Sequence, residues 1–454
     1  FYSFEAFNRT EGSRMALRQD YVAGPRHHLF LAGCDLVALA REHGTPLYVY
    51  DERYIRAQCR AFREAIEAFA LAGGEVHYAS KAFSTVAMCR IAAQEGLGLD
   101  VVSAGEMYTA RSAGFPMNRV TLHGNAKTRE EMELALDWGI GRYIVDNLTE
   151  IEPLQRLAEE RGRKIGVIIR LNPGIDAHTH EAVQTARTDC KFGLGISDGE
   201  ALNALKKIAR CPNLELFGLH THIGSQIFEI APFLQAVDCL TDFAVLASVV
   251  TGLPIRELIV GGGFGVRYTE KDPPSLDPRE SVRRIARELD KQCARKGIAA
   301  PKLIVEPGRA IVAEAGAALY TVCAIKDIPG VRKYVSLDGG MTDNPRVALY
   351  GARYQAVAAN RADERPAEIV ALAGRACESD DVFGYDFALP RLEVGDIVMI
   401  PTSGAYHYSM ASNYNRVPFP KVLLLRNGQA ETIVERQRVE EITRYDRLPG
   451  HLKY

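Results

Sequence analysis

Glu75-Val76-His77-Tyr78-Ala79-Ser80-Lys81-Ala82 is a short apolar run that stops at a lysine, and Thr85 to Glu95 follow with helical spacing. Such a run predicts a buried strand delivering one cation to the start of a helix. The same unit recurs along the chain. Strand-like runs at Leu99–Val102, Val120–His123, Tyr143–Val145, Lys164–Leu171, Glu215–His220, Glu257–Val260 and Lys302–Val305 bring the count to eight with Glu75–Ala79. Helical stretches lie between most of them: Ala104–Ser112, Arg129–Trp138, Leu148–Arg161, Gly199–Ile208, Pro232–Val250 and Arg279–Arg295. Eight strand–helix units fit a (β/α)8 TIM-type barrel, which takes roughly 250 residues. A doubly wound open sheet fits less well, because no Gly-x-Gly-x-x-Gly follows the first strand.

The flanks read differently. Met15 is the candidate natural start, so residues 1–14 are set aside. Residues 15–46 read as an arm with a strand at His28–Leu31 and a helix from Asp35 to His43, stopped by Gly44 and Pro46. The arm is expected to pack with the C-terminal domain. Leu47–Tyr50 reads as the lead-in strand of a barrel unit covering 47–315, followed by helical periodicity from Arg53 to Ala70. From 316 to 454 the texture is mostly β. Runs at Ala318–Ile325, Lys333–Leu337, Ala367–Ala373, Asp396–Pro401 and Lys421–Arg426 are separated by turn dipeptides such as Pro329-Gly330 and Asn427-Gly428.

Composition narrows the function. A net charge of -2 with 25% charged residues, in no long single-sign run, argues against nucleic acid or an anionic membrane as the partner. No apolar stretch is read as reaching the roughly 20 residues of a membrane span, and no basic-then-apolar leader opens the chain. The 9 cysteines are odd in number and form no Cys-x-x-Cys pair. That disfavours a structural zinc or a disulfide framework and suggests reduced thiols in the cytoplasm.

Polar residues gather where strands end, the active-site face of a barrel. They are Lys81, Asp100 with Ser103, His123 with Asn125, Arg170 with Asn172, His220 with His222, Gly261-Gly262-Gly263, and Glu306 with Arg309. Asp146-Asn147 reads as a helix start. Any one of these serves as easily as a cap or a solvated charge; the set is the signal. The glycine run after the seventh strand offers backbone N–H groups without side chains, which suits a phosphate. An acid at Glu306 suits the ring nitrogen of pyridoxal 5'-phosphate (PLP), and Lys81 its aldehyde. An acid there favours a protonated ring and hence loss of CO2, whereas an arginine would suit a racemase. His222 is placed to stack on the ring and Ser225 to touch the phosphate. A zinc pair of His220 and His222 is the competing reading, weakened because no acid lies within two residues. No metal is expected. Polar clusters in the C-terminal part include Asp338–Arg346 with Tyr350, Cys377-Glu378-Ser379, and Ser403–Tyr406. Cys377 is a candidate proton donor to carbon.

These residues resemble the PLP-dependent decarboxylases of the alanine-racemase fold, and within that family the diaminopimelate decarboxylase branch. The resemblance runs from about residue 28 to 420. It rests on Tyr78–Ala82, Asp100–Glu106, His123–Lys127, Lys191-Phe192-Gly193, His222–Gln226, Gly261–Gly265, Glu306-Pro307-Gly308-Arg309, Cys377-Glu378-Ser379, Gly404-Ala405-Tyr406 and Ser412–Asn415.

The resemblance implies decarboxylation of meso-2,6-diaminopimelate to L-lysine. It implies that Lys81 holds PLP, that His222 stacks on it, and that Ser225, Gly262, Gly263 and Gly308 surround it with Glu306 at the ring nitrogen. Tyr406 touches cofactor and substrate. Arg309, also at the cofactor, grips the distal carboxylate together with Arg346 and Tyr350, and Glu378 takes the distal ammonium. Cys377 returns a proton to Cα. The site is shared across a homodimer, with Cys377 and Glu378 reaching the partner's barrel. Two departures, Val347 where the family usually has proline and Asp380 where it usually has glycine, leave carboxynorspermidine or a D-amino acid open as substrate, and a fold-related decarboxylase of ornithine or arginine is the alternative within the class. A PLP-binding regulator without turnover is the reading from another class.

Overall fold

The computed structural model describes residues 18, 20–175, 190–252 and 254–452. The candidate start at Met15 lies outside them. The eight expected barrel strands all form: β1 (Gly74–Ala79), β2 (Gly98–Val101), β3 (Val120–Leu122), β4 (Arg142–Val145), β5 (Ile165–Asn172), β6 (Leu214–His220), β7 (Glu257–Ile259) and β8 (Lys302–Val305). Each pairs in parallel with its chain neighbours. Bonds between β8 and β1 and between β4 and β5 complete the ring. Both faces of these strands are covered, so they read as continuous apolar runs rather than alternating ones. Inside the ring Ile144, Ile168, Ile259 and Ile304 make a buried apolar plug.

The outer helices follow their local signals. Asp277 caps Pro278–Lys296 by accepting from Glu280 N, and Gly297 ends it in the left-handed region. One helix differs from expectation: it runs Ile151–Glu160, not from Leu148. Asp146 is instead spent on tertiary bonds, accepting from Arg170 Nη1 at 3.1 Å and Gly193 N at 2.9 Å. A second difference is Ala231–Thr251. With 21 residues it is long and apolar enough, by length and composition, to cross a membrane, which the sequence reading did not register. Here Phe233, Ala236, Val237, Leu240, Phe243, Ala244 and Ala247 are buried.

The second unit is a mixed sheet. Its strand order is Val382–Leu389, Glu368–Ala373, Arg332–Leu337, Gly316–Ile328, Leu47–Asp51, Lys421–Arg426, Gln429–Val434, with Ile397–Ile400 also on Gly316–Ile328. Leu47–Asp51, read as the barrel's lead-in, belongs to this sheet: it pairs antiparallel with Gly316–Leu319 and parallel with Lys421–Leu425. Its side chains are buried throughout, because the sheet lies between the arm and the barrel. The arm's Leu29, Leu31, Leu36 and Val37 share a core with Leu319, Met399 and Leu423. Asp51 then caps the first barrel helix, Glu52–Phe69, so the chain passes from sheet to barrel with no linker. Val382–Leu389 escaped the sequence reading. Gly384 interrupts it and its register on Glu368–Ala373 shifts twice.

Candidate active site

A cavity of about 700 Å³ opens at the C-terminal ends of the barrel strands. Its lining includes Lys81, His123, Arg170, His222, Ser225, Gly262, Gly263, Tyr268, Glu306, Gly308, Arg309, Arg346, Tyr350 and Tyr406. Lys81 sits on a single tight turn, Ser80–Ala82, directly after β1. Ser80 anchors that turn by donating to Asp100 O at 2.6 Å.

Glu306, just past β8, is buried between two imidazoles. His220 Nε2 donates to its Oε2 at 3.2 Å, and His123 Nε2 stands 3.3 Å from its Oε1. Burial alone would raise the Glu306 pKa, but His220 and His123 hold it well below the ordinary carboxylate value. Burial likewise opposes charge on His123, yet Glu306 and Asp100 lift it to about 9. His220 is shifted down, chiefly by burial. The ligand atoms of His123, His220 and Glu306 lie within 4.8 Å of one another, close enough for a metal ion. The proton that His123 keeps opposes that use.

His220 and His222 do not form a pair on one face. The strand ends at His220, and His222 turns to accept from Gly262 N–H at 3.4 Å. Burial, with Lys81 and Arg170 nearby, pushes its pKa well down, so the ring is neutral.

The glycine loop is forced by backbone crowding. A Cβ on Gly262 would lie 2.0 Å from Glu306 O, and one on Gly263 would lie 2.2 Å from Gly224 O at a φ of +96°. The loop is therefore wedged between the segments after β6 and β8. PLP fits this residue set. A lysine and a side-chain-free cradle line the same cavity. Glu306 Oε1 is buried without a hydrogen bond, an acceptor ready for a ring N–H.

The second domain contributes Arg346, buried at the start of the short helix Arg346–Tyr350. Arg346 donates to Tyr354 Oη at 2.7 Å and Tyr268 Oη at 3.2 Å, and Arg309 to Tyr268 Oη at 2.6 Å and Ser225 Oγ at 3.0 Å. Arg309 also lies over the Tyr406 ring, 4.8 Å from its centroid. The structure therefore brings together Lys81, His222, Ser225, Gly262, Gly263, Glu306, Gly308, Arg309, Arg346, Tyr350 and Tyr406. It does not bring Cys377 or Glu378 to this cavity. Both are exposed, and Glu378 accepts from Tyr414 Oη at 2.5 Å. Tyr268 and Tyr354 were missed. Neither stands at a strand end, and no spacing marks a tyrosine as a partner of arginine.

A barrel of this geometry, with a lysine, a cradle and an acid at its mouth, defines a class. The family described as "Pyridoxal-dependent decarboxylase, pyridoxal binding domain" matches residues 52–313, and the chain belongs to that class of PLP-dependent decarboxylases. It is 45% identical to the diaminopimelate decarboxylase of Bacillus subtilis over 92% of this chain and 95% of that one. The Halalkalibacterium halodurans diaminopimelate decarboxylase is 43% identical over 92% and 95%. Among solved structures, diaminopimelate decarboxylase from M. jannaschii in complex with L-lysine superposes with a TM-score of 0.88 at 34% identity, covering 97% of this chain and 99% of that chain. The chain is a member of the diaminopimelate decarboxylase family.

Proposed function

We propose that this chain removes CO2 from meso-2,6-diaminopimelate and leaves L-lysine. The observation that carries this reading is a pair of buried arginines from two domains, held among the described residues by hydroxyls and no acid, beside Lys81 and Glu306. Two cations without acids suit a substrate that keeps a second carboxylate after the first is lost.

PLP, when bound, supplies an electron sink for the pair left at Cα as CO2 departs. The chain's own residues do the rest. Lys81 anchors the cofactor aldehyde, and the Gly262–Gly263 loop with Ser225 takes its phosphate. The neutral ring of His222 would face the cofactor without bringing charge. Glu306, kept ionised by His123 and His220, holds the proton at the ring nitrogen. Arg309, Arg346 and Tyr350 fix the distal carboxylate, which orients the carboxylate to be lost, and Tyr406 closes over Arg309.

Cys377 and Glu378 act on the cavity of a second copy in a homodimer, where Cys377 gives Cα its proton and Glu378 takes the distal ammonium. Their exposure, and their absence from the described lining of this chain's own cavity, support that assignment. The test is to mix PLP-loaded Lys81→Ala and Cys377→Ala proteins. Shared sites restore roughly a quarter of wild-type CO2 release from diaminopimelate, the statistical yield of one intact site in half the dimers. No recovery overturns sharing. CO2 from ornithine or arginine instead of diaminopimelate overturns the substrate.

A further inference from the structure

Tyr268 has no part in the roles given above, yet it is the point on which the carboxylate site turns. It leaves the barrel on the segment after the glycine loop and is 7% exposed. Its hydroxyl receives Arg309 from the barrel and Arg346 from the second domain, at 2.6 and 3.2 Å. The described partners of both guanidiniums are hydroxyls, of Tyr268, Ser225 and Tyr354, with no carboxylate among them. Arg309 Nε is buried without a partner. Two cations side by side repel, so something must hold both forks to one point before substrate arrives. A phenol oxygen has two lone pairs. With both filled by arginine N–H groups, the only hydrogen-bonding capacity left is its own O–H, and Tyr268 lines the cavity.

We propose that Tyr268 is the positioning residue of a second-carboxylate filter: its oxygen gathers Arg309 and Arg346, and its O–H donates to the carboxylate they bind. This rests on the diaminopimelate reading. It makes specificity depend on a residue that sets the arginines as well as on the arginines themselves.

The same contacts give the filter a pH limit. Burial would raise the Tyr268 pKa, but Arg309 and Arg346 pull it below the ordinary tyrosine value. Ionised Tyr268 would neutralise the arginines and repel a carboxylate. The groups facing it are Arg309, Arg346 and Tyr354, with Asp272 on its own loop, Tyr406 over Arg309 and His407 against Tyr354.

The experiment titrates PLP-loaded enzyme with L-lysine, which keeps the carboxylate, and cadaverine, which lacks it. In Tyr268→Phe the affinity for L-lysine falls about tenfold, the loss of one buried hydrogen bond to a charged group, and that for cadaverine is unchanged. Wild-type affinity for L-lysine declines with alkaline pH, and Tyr268→Phe removes the decline. A second readout needs no variant: at alkaline pH, L-lysine lowers the tyrosinate absorbance of the wild type by one tyrosine, and cadaverine does not. Equal weakening of both ligands, or an alkaline decline that survives in Tyr268→Phe, overturns the proposal. If wild type holds cadaverine as tightly as L-lysine, the two-carboxylate reading itself fails, and the filter with it.

Discussion

Arg142 and Arg346 are both buried arginines, one at each end of the barrel's axis of function, and they are treated in opposite ways. At the N-terminal end of the strands Arg142 donates to both oxygens of Glu257 at 2.7 Å and to Glu75 at 3.1 Å, and Lys302 pairs with Glu75 as well. Every cation there has its acid. At the C-terminal end Arg346 and Arg309 are equally buried and, among the described residues, donate to hydroxyls and to no acid. The lower set ties the barrel floor together; under the proposed function the upper set is completed by the substrate's second carboxylate. A buried charge left without its counter-ion marks where ligand belongs, because burying it otherwise costs free energy with no return.

Each of the following changes breaks or sharpens that contrast. The largest effect falls on Lys81, the upper cation that faces the cofactor. Lys81→Ala abolishes CO2 release and the absorbance band of attached cofactor, with the urea midpoint little changed. Next is Glu306→Gln. It removes the charge pinched between His123 and His220 and lowers kcat by roughly 10²–10³-fold, read by steady-state kinetics, while KM moves little.

The direct comparison is Arg142→Met against Arg346→Met. Removing Arg142 leaves Glu257 without its cation at the floor, while Glu75 keeps Lys302, and destabilises by roughly 3 kcal/mol. Removing Arg346 leaves no acid uncompensated, so stability holds or rises while KM for diaminopimelate climbs. Urea unfolding and kinetics on both variants decide it. Equal loss of stability would show that the two ends are not different in kind.

The smallest effect is in pH. The pKa of His123 is raised from the ordinary 6.5 to about 9 in the folded chain, where Glu306 and Asp100 outweigh burial. Its folded pKa is raised, so its contribution to stability is full below about 6.5 and is lost as pH climbs through 9. The urea midpoint of the wild type therefore declines across that window, and His123→Gln flattens the decline.

The alternation of apolar runs and helices was enough to place all eight barrel strands, because a doubly covered parallel strand is mostly apolar, with its charged residues gathered near its ends. Strand-end position was enough to find Lys81, His222, Glu306 and Arg309, because a barrel shows the same end of every strand to its cavity. The C-terminal sheet was less legible. Its strand Val382–Leu389 carries a glycine and a shifted register. Leu47–Asp51 has a local pattern that suits either unit and was claimed by the sheet only through Gly316–Ile328 and Lys421–Arg426.

Local sequence was enough for the barrel, its covering helices, the glycine loop and several of the groups that line the cavity. These depend on local periodicity and on residues close to strand ends. Only the tertiary structure decided which charges are paired and which are not. It gave Arg142 two acids and gave Arg346 and Arg309 a shared tyrosine, and it set Cys377 outside the cavity of its own chain. Pairing depends on what stands across the fold within about 3 Å of a hydrogen-bonding atom. Arg142 and Glu257, or Tyr268 and Arg346, are neighbours by folding alone.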